Sequence, residues 1–106
     1  MRTGVLETNH LSLPEVMAWC LGKEKLLKST GFVCEVRKNS DCDNTSITIT
    51  MDGKGLMAEL VIWSAGSIHA EALQSSTGTR WYLKDAEIEG MASLDAETAA
   101  FLSLLL

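Results

Sequence analysis

His69 and Glu71 stand two residues apart in a run of alternating polarity, Ile68-His69-Ala70-Glu71-Ala72. On a strand both side chains point to the same face. There an imidazole and a carboxylate could hydrogen-bond, or act together as acid and base. Nucleophilic catalysis needs more, namely a nucleophile held against its base. The other histidine, His10, falls in an N-terminal stretch without periodicity. The pair therefore fits an exposed polar face of a half-buried sheet better than a catalytic centre. Metal chemistry finds less support. No two of His10, His69, Cys20, Cys34 and Cys42 have the spacing of a zinc site. Asp41-Cys42-Asp43-Asn44 gathers oxygens but lacks the twelve-residue loop and closing glutamate of an EF-hand, and suits a turn. Asp52-Gly53-Lys54-Gly55 lacks the flanks of a phosphate loop and carries a strong hairpin signal. No cofactor is expected.

The elements that would position these residues follow from periodicity. Residues 1–11 form a loose arm, and residues 12–106 a single domain. Ser12-Leu13-Pro14-Glu15 has the form of a capping box, with Pro14 tolerated in the first turn. Leu13, Val16, Met17, Cys20 and Leu27 share a helical stripe. Gly22 would mark close packing or a bend, and Gly31 would stop the helix. Residues 32–37 then alternate loosely and 45–51 strictly, so Ile47, Ile49 and Met51 face the core while Ser46, Thr48 and Thr50 face water or a partner. Leu56 to Trp63 is apolar on both faces except at Glu59, as for a central strand covered on both sides. Trp63 is accordingly assigned to the core. Strands near 68–73 and 79–88 follow, and Ser93 caps a last helix. The predicted class is α+β: an N-terminal helix, about five mainly antiparallel strands joined by short connections, and a C-terminal helix, both helices packed on the sheet.

Charge then separates the function classes. The net charge is −5, with its sign divided along the chain. Residues 1–40 hold six basic and four acidic residues, a balance of +2, and residues 41–106 hold three and ten, a balance of −7. Such a surface repels phosphate backbones, which argues against direct nucleic-acid binding. It steers association with a basic partner. Three cysteines, an odd number without CxxC spacing, suit a reducing cytosol. No apolar run approaches the ~20 residues of a membrane helix, so a cytoplasmic, membrane-free protein is expected. Trp81 and Tyr82, adjacent on a strand, must face opposite ways, one to the core and one outward. Exposed aromatics ringed by polar groups mark binding surfaces.

Trp63-Ser64-Ala65-Gly66, Glu71 and Thr77-Gly78, preceded by Gly31-Phe32, resemble the pattern of the TriTu-type immunity proteins of bacterial contact-dependent growth inhibition. In that family a helix and a Gly-Phe step lead into an antiparallel sheet. A W-x-S-G hairpin follows, then an acidic strand, a T-G turn and a final helix. Ala65 here stands in place of the hairpin serine. The resemblance spans about residues 13–106. It implies a cytosolic protein that binds a cognate toxin domain, a nuclease cleaving transfer RNA with help from elongation factor Tu, and blocks its basic active cleft. Elongation factor Tu would then be met only indirectly, through the toxin. Contact residues do not transfer from the family, so the candidates rest on charge and exposure. They are Asp41, Asp43, Glu59, Glu71, Asp85, Glu87 and Glu89, with Trp81 or Tyr82 as an anchor.

Two other readings compete. A secretion chaperone or acidic adaptor would cradle an effector segment, usually as a dimer, with Phe101 to Leu106 in its interface. A small enzyme would depend on His69 and Glu71.

Overall fold

A computed structural model describes residues 11–40 and 44–106. The order is α1 (Leu13–Ser29), β1 (Val33–Asn39), β2 (Ser46–Gly53), β3 (Leu56–Trp63), β4 (Ser67–Gln74), β5 (Arg80–Glu87) and α2 (Met91–Leu105). The five strands form one antiparallel sheet in the order β1-β2-β3-β4-β5, each pairing with its neighbour in the chain. The expected α+β architecture is present in this form.

Helix α1 begins as its sequence suggests. The Glu15 N–H donates to Ser12 Oγ at 3.5 Å, with Pro14 in the first turn. It ends in a Schellman motif: the Phe32 N–H donates to the Leu27 carbonyl and the Gly31 N–H to that of Lys28, with Gly31 at φ 105°. That left-handed conformation is where glycine avoids a Cβ penalty. Val16, Cys20 and Leu27 are buried, while Leu13 and Met17 pack partly against the core. A Cβ at Gly22 would meet nothing within 4 Å, so that glycine marks no close contact. Leu11, placed by the sequence in the arm, is buried, and its N–H donates to the Ser64 carbonyl.

The β2–β3 hairpin is tight because Lys54 and Gly55 both take positive φ, 54° and 77°, the pair of conformations a type I′ turn requires. Gly53 beside it has a separate reason to be glycine. A Cβ there would lie 3.0 Å from Phe32 Cδ1 and 3.1 Å from the Gly31 carbonyl oxygen.

Both helices cover the same side of the sheet. The register places Cys34 and Val36 of β1, Ile47, Ile49 and Met51 of β2, Ala58, Leu60 and Ile62 of β3, and Ile68, Ala70 and Ala72 of β4 on that side. They form one cluster with Val16, Cys20 and Leu27 of α1 and Leu94, Phe101, Leu102 and Leu105 of α2. Tyr82 joins from β5, its ring centroid 5.5 Å from that of Phe101. Trp19 Nε1 donates to Asp95 Oδ1 at 2.8 Å, tying the two helices together.

Two expectations are corrected. Helix α2 starts at Met91 with Gly90 as its N-cap and no side-chain cap, so Ser93 lies inside the first turn. Burial of Leu94, whose N–H donates to the Gly90 carbonyl, fixes that start. Strand β3 is covered on one side only. Leu56, Ala58, Leu60 and Ile62 are buried, while Met57 is half-exposed and Glu59, Val61 and Trp63 are partly so. Trp63 therefore stands on the open side and not in the core.

Candidate functional site

The side of the sheet away from the helices carries the chemistry. Backbone register arranges it in rows that cross the strands. One row runs Val33, Asp52, Met57, Leu73. The next runs Glu35, Thr50, Glu59, Glu71, Leu83. A third runs Arg37, Thr48, Val61, His69, Asp85, and the last runs Asn39, Ser46, Trp63, Ser67, Glu87. Six carboxylates thus share the face with Arg37 and with Arg80, which reaches in from the start of β5.

Of the candidates named from sequence, Glu59, Glu71, Asp85 and Glu87 come together here. Trp81 sits at the irregularity where β5 pairs with Ala72 and Leu73, and is 53% exposed. Tyr82 turns to the helix side against Phe101, which leaves Trp81 as the exposed member of the pair. Glu89 lies beyond the sheet, in the connection to α2. Asp41 and Asp43 lie outside the described residues. Sequence reasoning missed Glu35 and Asp52. Their signal was available: Glu35 alternates with buried Cys34, and Asp52 follows buried Met51.

The carboxylates are not equivalent. His69 Nδ1–H donates to Asp85 Oδ1 at 2.7 Å, and its Nε2 lies 3.8 Å from Glu71 Oε1. Arg80 Nε donates to Glu71 Oε2 at 2.9 Å. Asp85, His69, Glu71 and Arg80 thus form one chain across β4 and β5. Glu59 stands directly opposite Glu71, a like-charge pairing that costs stability. Among the described residues no basic group pairs with Glu59 or Glu35. In the other two rows of the same face, Ser46 and Thr48 are more than nine-tenths buried, which corrects the expectation that they face water or a partner.

The face is indented at two places. A groove of about 390 Å³ runs over Val33, Glu35, Thr50, Met57, Glu59 and Leu73. A smaller one of about 300 Å³ lies beside Trp63, Ser67, Asp85 and Glu87. Among the described residues no group of three or more His, Cys, Asp and Glu is arranged to hold a metal ion, and no helix is long and apolar enough to cross a membrane.

Among the described residues, Cys20 and Cys34 are both buried. Burial pushes the Cys20 thiol up to about 12. Cys34 is also raised, first by burial and then by the charge of Glu24. Thiolates are the reactive form. In a Cys42→Ser variant, an aromatic disulfide reagent at pH 8 is expected to leave both thiols unmodified in the native protein and to modify both in denaturant. Fast modification of the native state would contradict the burial.

The family model for the immunity protein TriTu matches residues 14–104, a span that runs from the first turn of α1 to the end of α2. The chain belongs to the TriTu immunity protein family. Among curated proteins the comparison gives no match. In this TriTu protein helix, meander and helix follow one another in the chain, and among the described residues the side of the meander away from the helices carries both acidic and apolar side chains. Membership of an immunity protein family implies a toxin as partner.

Proposed function

We propose that the protein binds a cognate toxin domain in the bacterial cytosol, as part of a contact-dependent growth inhibition system, and blocks that domain without chemistry of its own. The toxin is a nuclease that cleaves transfer RNA. Elongation factor Tu enters only through the toxin. A nuclease cleft must attract phosphates, so it presents cations, and an acidic inhibitor can fill it by complementary charge. The observation that carries this reading is the open sheet face, where six carboxylates share a surface with two arginines.

The test pairs the protein with the toxin domain encoded beside its gene. Co-expression is expected to rescue growth, the purified pair to elute as a 1:1 complex, and transfer-RNA cleavage to stop in vitro. Cleavage that continues in the presence of excess protein would refute it.

The same assay tests an enzymatic role for His69. His69→Ala removes an exposed pairing with Asp85, worth about 0–1 kcal/mol, and is expected to leave protection intact. Complete loss of protection with binding retained would point to catalysis instead.

A further inference from the structure

The apolar and acidic rows of the open face lie side by side, and this arrangement specifies more than charge. Val33 is 75% exposed and Met57 50%. With Leu73 they line the larger groove, Asp52 standing between Val33 and Met57 in their row, and the carboxylates of Glu35, Glu59 and Glu71 line its other side. The uncovered side of an antiparallel sheet is ordinarily polar, so apolar side chains at three strands in one row need a partner to cover them. The adjoining carboxylates state what that partner carries. Glu59 faces Glu71 across the β3–β4 pair, and Arg80 neutralises only Glu71. A cation entering the groove would relieve that repulsion, and the methylene stem of a lysine or arginine would lie along Met57 and Leu73. A second copy of this chain does not fit. Face to face, two copies would set six carboxylates against six, with two arginines on each side to offset them.

We infer that this groove is the binding hot spot, and that it takes a surface segment of the toxin in which an aliphatic or aromatic side chain stands next to an arginine or lysine. This rests on the toxin-binding reading above and adds to it. The apolar contact holds the complex together, while the carboxylates steer its formation. Charge alone would give an inhibitor that salt removes. A buried apolar anchor ringed by polar groups gives one that stays.

The experiment measures association and dissociation rates against a catalytically inactive copy of the toxin domain encoded beside the gene, at low and high salt. The double variant Met57→Ser, Leu73→Ser is expected to dissociate about thirtyfold faster, as loss of a hot spot does, with its association rate unchanged. Glu35→Gln with Glu59→Gln is expected to slow association and flatten its salt dependence. Met57→Leu alone, which keeps the apolar contact, is expected to dissociate as slowly as the wild type, and an unchanged melting curve of the serine double variant separates loss of the contact from misfolding. Wild-type dissociation from the serine double variant would overturn the inference while leaving toxin binding standing. Failure of the wild-type protein to bind the toxin at all would instead overturn the proposed function.

Discussion

Glu59→Lys is expected to make the protein more stable and to stop it from working. The stability gain follows from register. Glu59 and Glu71 are directly opposed on β3 and β4, and a lysine at position 59 turns a repulsive cross-strand pair into an attractive one. Such exchanges are worth about 0.2–1 kcal/mol. In a domain of this size that raises the melting temperature by roughly 1–4 °C. The functional loss follows from the partner. A lysine in the groove meets the cations of the toxin, and like charges brought together at an interface cost several kcal/mol. The dissociation constant should rise about a thousandfold, which corresponds to about 4 kcal/mol. Thermal melting and titration of the inactive toxin domain check both halves. A less stable variant would refute the cross-strand repulsion, and one that binds as tightly as the parent would remove Glu59 from the contact surface. The opposed signs are the informative part, since residues kept for function often sit where they harm the fold.

The second large effect lies in the core. Phe101 is fully buried, and its ring packs against Tyr82, so it joins α2 to the edge strand β5. Phe101→Ala is expected to cost about 3–5 kcal/mol, the transfer of the ring plus the cavity it leaves. That is a large fraction of the ~5–15 kcal/mol that holds a typical domain together. Ala100→Ser, one position away on the exposed side of the same helix, should stay within about 0.5 kcal/mol. Urea denaturation of the two variants makes the comparison. Similar midpoints would mean that α2 contributes little to the core.

Most of the scaffold is legible in the sequence because its local signals agree with one another. The alternation of residues 45–51, the turn at 53–56 and the Ser12–Glu15 cap each specify one conformation, and each is present. What misled was β3. Its apolar residues at 57, 61 and 63 imply a strand covered on both sides, yet only the even positions are covered. The odd ones stand on the open face, away from the helices. The same cause placed Trp63 in the core. Strand parity does place Glu59, Glu71, Asp85 and Glu87 on one face. Net charge could say that acids were abundant after residue 40. It could not say which of them would share a surface, because that depends on register between strands that only folding brings together. Glu35 shows the limit: it belongs to the basic half of the chain, and it enters the acidic row only through its alignment with Thr50 and Glu59.

The meander, in which every strand pairs with the one before it, also has a meaning in time. Each hairpin closes a short loop, so little chain entropy must be lost before a contact forms. Chains dominated by such local pairings fold fast, on the order of milliseconds, whereas distant pairings slow the search by orders of magnitude. Newly synthesised copies would therefore become competent soon after leaving the ribosome. A neutralising protein has to be ready before the first toxin molecule arrives. A topology without crossovers makes readiness a matter of translation alone.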